Sequence, residues 1–217
     1  MAFSFEGVSA LVIDCDGTLL DSMPAWDKAE AELISRSNMP FTMEMLTEIR
    51  AAPMYEGCRI FHERYGVGNS VDDVVELMDE LLLGGYANDV EPVVGAPEFV
   101  RAAKAADVPL AVASSSPQRF LQAGLKRTGL IDLFDEVVST EDVLISKEDP
   151  AFFLKVLELL DAPLEGAWGV DDAIYAIRTM KQAGLRTIAK YDSPSTGTYD
   201  ELLAEADITI REFKELM

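Results

Sequence analysis

Six apolar runs of strand length, separated from about residue 95 onward by helical patterns, restrict this chain's fold more than any other feature. The runs are Val8 to Ile13, Leu110 to Ala113, Val137 with Val138, Ala167 to Val170, Thr187 to Ala189 and Ile208 to Ile210. Several are apolar throughout instead of alternating, as strands must be when helices cover both faces of a parallel sheet. Helical signals lie between them. "SPQRFLQAGLKRTG" offers Ser116 as N-cap, Pro117 at the first helical position and Gly129 at the close. "PAFFLKVLELLDAP" and "DAIYAIRTMKQAG", the second closing at Gly184, follow the same logic. The expected fold is α/β, with a doubly wound, parallel, Rossmann-like sheet as its core.

Between Ser22 and Val94 the alternation stops. Helical patterns follow one another over about residues 25–37, 43–50, 55–65 and 71–83. The last places Val71, Val74, Val75, Met78, Leu81 and Leu82 on one face, with Ser70 as its cap and Asp73 three residues on. "LLLGGYANDVEPVVGAP" then reads as turn residues leading back to the strands. The expected organisation is a core of residues 1–21 and 95–217, with an all-helical domain of residues 22–94 inserted after the first strand.

Charge limits the partners. With 18 basic and 39 acidic residues among 217, the net charge is −21, a field that repels nucleic acid and anionic membranes. No apolar run approaches the roughly 20 residues that a membrane span needs. The start, "MAFSFEGVSALVID", lacks the basic and long apolar regions of a signal peptide. Cys15 and Cys58 make neither a disulfide framework nor a metal spacing. A cytoplasmic protein is expected, and a monomer is the simplest assembly.

In a doubly wound sheet the carboxyl ends of the strands build the site, so the polar residues there carry the information. The first strand ends in Asp14-Cys15-Asp16-Gly17-Thr18 and the second in Ser114-Ser115-Ser116. Lys147 and Asp149-Pro150 precede a later helix, and "AWGV" runs into Asp171-Asp172. Carboxylates beside hydroxyls, a helix start and one ammonium suit Mg²⁺-dependent chemistry on a phosphate. Mg²⁺ takes oxygen ligands, usually one or two carboxylates with water and phosphate. Hydroxyls and free amides at a helix start hold phosphate oxygens, and a lysine adds a point charge.

Asp14-Cys15-Asp16-Gly17-Thr18-Leu19 with Asp21-Ser22 resembles the first motif of the haloacid dehalogenase-like phosphatases, Asp-x-Asp-Gly-Thr-Leu. Ser114 resembles the family's second motif, Lys147 with Pro150 and Phe153 its third, and Asp171-Asp172 its acidic fourth. The inserted helices fall where the β-phosphoglucomutase-like group carries its cap. Glu148, Ala151 and Ala173 depart from the usual motif residues, and these departures bear on substrate fit and metal geometry more than on reaction class.

The resemblance implies a Mg²⁺-dependent phosphatase acting on a small phosphorylated metabolite through an aspartyl-phosphate. Asp14 would be the nucleophile, and Asp16 the general acid and then base. Asp14, Asp172 and the backbone carbonyl of Asp16 would hold the metal, with Asp171 as a further ligand or a neighbour of one. Ser114, Ser115 and Lys147 would hold the phosphoryl oxygens, beside Gly17 and Thr18 in the turn. A cap that closes would exclude water and select the leaving group, with Trp26, Arg50, Met54 and Arg59 as candidate selectors.

Plainer readings stand beside these. Asp14 and Asp16 could shape an Asx turn at Gly17, Asp171-Asp172 could open a helix, Ser114 could only cap one, and Lys147 could lie in solvent. Cys15 reads as a small buried residue and His62 as decoration on an inserted helix. A sugar phosphomutase is the nearest rival function; its relatives carry a histidine early in the cap, and residues 17–61 contain none. True dehalogenases lack the second catalytic aspartate that Asp16 supplies. A non-catalytic phosphate- or Mg²⁺-binding regulator is the alternative from a different class.

Overall fold

The computed structural model describes residues 3–40, 42, 46, 49, 54–194 and 196–217. The chain divides into two compact units, residues 1–22 with 90–217 and residues 23–89. In the first unit the six apolar runs form one parallel sheet of β1 (Ala10–Ile13), β4 (Leu110–Ser114), β5 (Glu136–Ser139), β6 (Ala167–Asp171), β7 (Arg186–Lys190) and β8 (Ile208–Ile210). Their order is β5-β4-β1-β6-β7-β8. β1 therefore lies between β4 and β6, and the winding reverses there. Ile13 pairs with Val112 on one side and Val170 on the other, so Asp14, Ser114 and Asp171 leave the sheet on neighbouring strands at one end.

Helices cover both faces. On one face Val12, Ala111 and Val138 pack with Phe152, Phe153 and Val156 of α7 (Pro150–Leu159) and Met180 of α8 (Ile174–Ala183). On the other, Phe99 of α4 (Ala96–Ala105) stacks with Phe213 at 5.3 Å, while Phe3 meets Trp168 edge-on at 5.0 Å. Both β1 and β4 are buried along their whole length, which is why their sequences are apolar without alternation.

A second ladder, absent from the sequence reading, joins β2 (Leu20–Asp21) antiparallel to β3 (Glu91–Pro92). It belongs to the first unit, as does the chain from Val90 onward.

The second unit contains α1 (Met23–Ser35), α2 (Met54–Tyr65) and α3 (Val71–Asn88). Ser70 caps α3 as expected, its hydroxyl accepting from the Asp73 amide at 3.1 Å. The helix nevertheless continues five residues beyond the expected end at 83, through Gly84 and Gly85. The reason is packing: a Cβ on Gly85 would stand 2.8 Å from the Cβ of Ala25. Gly85 is there for close approach between two helices, not for a turn. Of the helix expected over 43–50, Leu46 and Ile49 are described and helical, while Arg50 lies outside the described residues. Of the other proposed selectors, Trp26 donates its indole N–H to the Tyr86 hydroxyl at 3.2 Å, and Arg59 pairs with Glu56 and Glu63 of its own helix.

Among the described residues no helix is long and apolar enough to cross a membrane.

Candidate active site

β1 stops at Asp14 because the chain must turn. The Asp14 amide still donates to the Val170 carbonyl at 2.8 Å, continuing the ladder. Residues 15–20 then fold back on themselves, with the Leu19 and Leu20 amides both 2.8 Å from the Cys15 carbonyl and the Gly17 amide 2.9 Å from that of Leu20. Gly17 has φ 78°, and a Cβ there would meet Asp172 Oδ2 at 3.0 Å, so both conformation and space require glycine.

Around this turn the strand ends assemble a buried acidic cluster. Carboxylate oxygens of Asp14, Asp171 and Asp172 lie within 4.8 Å of one another. The Lys147 ammonium pairs with Asp14 Oδ1 and lies 2.8 Å from Asp171 Oδ2. That second contact is an ion pair without hydrogen-bond alignment, which leaves a lone pair of Asp171 Oδ2 open. Lys147 is only 4% exposed, which sets aside the solvent reading of this residue. Thr18, fully buried, directs its hydroxyl toward Asp172 Oδ1 at 3.4 Å.

Electrostatics record the strain of this grouping. Burial raises the Asp14 pKa well above its usual value; Lys147 opposes that, and the three neighbouring aspartates add to it. Burial, then Asp171, pushes Asp172 up to about 7. For Lys147 burial opposes the charge, but Asp14 and Asp171 outweigh it and hold the ammonium protonated. Three carboxylates this close, all shielded from water, are costly without a cation. The donor set is all oxygen, so the cluster fits a hard divalent ion such as Mg²⁺. Burial also holds the Cys15 thiol well above its ordinary pKa, consistent with a small core residue and not a nucleophile.

Asp16 stands apart from the cluster. Its carboxylate accepts from the Ser116 hydroxyl at 2.6 Å. Ser116 was expected to cap the next helix, α5 (Gln118–Arg127), but Pro117 occupies the cap position and makes no side-chain cap. The Ser116 hydroxyl is committed to Asp16 instead, while its amide donates to Ser114 Oγ at 3.0 Å.

Two further side chains were not singled out in the sequence. The Tyr175 hydroxyl sits beside Ser115 and close enough to Lys147, Asp171 and Asp14 to feel their charges. Burial raises its pKa, so the hydroxyl stays neutral. Lys190, 6% exposed, donates to the Gly17 carbonyl at 2.8 Å and to Asp192 Oδ1 at 2.7 Å. Lys190 ends an apolar strand just as Asp14 and Asp171 do, and that position was the available signal. All of these residues belong to the first unit.

Known proteins resemble the chain over most of its length. The chain is 29% identical over 209 residues to validoxylamine A 7'-phosphate phosphatase of Streptomyces hygroscopicus subsp. limoneus, covering 94% of each. It is 27% identical over 181 residues to the phosphorylated carbohydrates phosphatase of Thermotoga maritima, covering 83% of this chain and 84% of that one. Among solved structures, a candidate β-phosphoglucomutase from Thermotoga maritima superposes with a TM-score of 0.83 at 26% identity, covering 96% and 97% of the two chains. The sequence model of the haloacid dehalogenase-like hydrolases matches residues 8–184, and the chain belongs to that family.

Proposed function

We propose that the protein is a Mg²⁺-dependent phosphomonoesterase that hydrolyses a small phosphorylated metabolite, with Asp14 as nucleophile. The observation that carries this is the buried triangle of Asp14, Asp171 and Asp172 oxygens with the Lys147 ammonium against two of them, at the reversal point of the sheet. The phosphatase relatives in Streptomyces and Thermotoga support a phosphorylated carbohydrate as the substrate class.

Asp14, Asp172 and the Asp16 carbonyl would hold the ion, with Asp171 beside them. When bound, Mg²⁺ supplies positive charge to the phosphoryl oxygens and to the attacking carboxylate. Asp14 attacks phosphorus, the bond from phosphorus to the ester oxygen breaks, and Asp16 gives its proton to the departing alcohol. Asp16 then takes a proton from the water that attacks the aspartyl-phosphate, releasing inorganic phosphate and regenerating Asp14. The Ser116 hydroxyl fixes the Asp16 carboxylate for both proton transfers. Lys147 keeps Asp14 aimed and its charge counters that gathering on the phosphoryl oxygens. Ser114 and Ser115 supply donors, with the Tyr175 hydroxyl beside the latter. The buried, unpaired Cys15 and Cys58 suit a reducing compartment, and we place the enzyme in the cytoplasm.

Phosphate release from p-nitrophenyl phosphate and a panel of sugar phosphates, in Mg²⁺ and in EDTA, tests this. Release should require Mg²⁺ and fall by a factor on the order of 10⁴ in Asp14→Asn. Release that persists in EDTA or survives Asp14→Asn contradicts the reading, and bisphosphate-dependent interconversion of glucose phosphates replaces it with a mutase.

A further inference from the structure

Lys190 is a buried ammonium that the mechanism above does not use. A lysine inside a protein is costly unless anions or carbonyls satisfy it, and Lys190 is satisfied by one of each. Its place is set by the sheet: Ala189 pairs with Asp171, so Lys190 stands level with Asp172 on the next strand. The carbonyl it holds belongs to Gly17, the residue against whose α-carbon the Asp172 carboxylate packs. The Asp16 carbonyl, assigned above to the metal, is one peptide away. Asp192, the other partner, is near enough to Asp172 for its charge to act on it.

We infer that Lys190 is a positioning residue for the metal site, tying the Gly17 carbonyl to the Asp192 carboxylate so that the turn after Asp14 stays in register with Asp172. The inference rests on the phosphatase reading for the identity of the ion. Without the tie, the Gly17 carbonyl loses a buried donor, and mutual repulsion of the surrounding acids opens the turn.

The sign of the effect distinguishes positioning from charge. An ammonium beside a cation site repels the cation, so if charge were all, removing Lys190 would tighten Mg²⁺ binding. If positioning dominates, removal weakens it, by about 10- to 100-fold as for other residues that orient metal ligands. The experiment is calorimetric titration of the full chain with Mg²⁺ alone, comparing wild type, Lys190→Met and Lys190→Arg, with circular dichroism to verify folding. Lys190→Met should bind Mg²⁺ about 10- to 100-fold more weakly, with Lys190→Arg between it and wild type. Raising Mg²⁺ should restore p-nitrophenyl phosphate turnover in Lys190→Met, with the ester KM at saturating Mg²⁺ unchanged. Binding by Lys190→Met as tight as wild type, or tighter, overturns the inference while leaving the phosphatase reading intact. If Lys190→Met does not fold, Lys190→Gln, too short to span both partners, carries the same comparison. A wild-type chain that binds no Mg²⁺ removes the phosphatase reading and this inference together.

Discussion

At the scale of single residues, Asp172 makes the metal-free protein sensitive to pH. Unfolded, its carboxyl titrates at the ordinary value near 3.8; folded without metal, burial and Asp171 move it to about 7. Between those limits the folded state binds more protons than the unfolded one, so stability falls as pH rises from about 4 to about 7. The loss amounts to a few kcal/mol, reached by about pH 8, and Mg²⁺ should cancel it by binding the ionised form. Urea unfolding in EDTA at about pH 5 and about pH 8 measures this, and Asp172→Asn should show a flatter dependence. Tyr175→Phe removes a hydroxyl from beside Ser115 and Lys147, so kcat/KM should fall about five-fold, equivalent to about 1 kcal/mol. Asp14, Asp16, Asp171 and Asp172 were legible in the sequence because acids that follow apolar strands are physically anomalous. Lys190, Ser116 and Tyr175 were not. A lysine ending a strand, a serine before a proline and a tyrosine in a helix's first turn each have ordinary uses. Only the tertiary partner reveals the role.

At the scale of elements, the strands were legible because continuous burial leaves its mark in continuous apolar runs, as in β1 and β4. The end of α3 was not. Two successive glycines signal a turn locally, yet contact with α1 keeps the helix going. The neighbours Gly84 and Gly85 therefore respond to the same change with opposite sign. Gly84 has open space around it, so Gly84→Ala should gain about 0.5–1 kcal/mol from helix propensity and a restricted unfolded chain. Gly85→Ala makes the same gain but presses a methyl onto Ala25, and overpacking of about 1–3 kcal/mol should leave it destabilised. Urea midpoints of the two variants decide the matter; a stabilised Gly85→Ala would refute the close-approach account. The β2–β3 ladder escaped notice because two-residue strands carry no periodicity.

At the scale of the whole molecule, the chain's charge of −21 opposes the arrival of a phosphate ester, and Lys147, Lys190 and a bound cation offset it locally. Screening should therefore help: at saturating Mg²⁺, kcat/KM for p-nitrophenyl phosphate should rise as salt is raised toward about 0.1 M, where the Debye length is about 10 Å. A fall would mean that local positive charge, not the global field, governs encounter. The order of the sheet brings residues from three distant segments to one end, and that convergence builds the site. Its most direct test is chemical. Rapid acid quench of the Asp16→Asn variant turning over a phosphate ester, followed by peptide mass analysis, should find one added phosphoryl group on Asp14 and none in Asp14→Asn. Phosphoryl on any other residue, or steady hydrolysis by the wild type with none trapped in either state, would contradict the account.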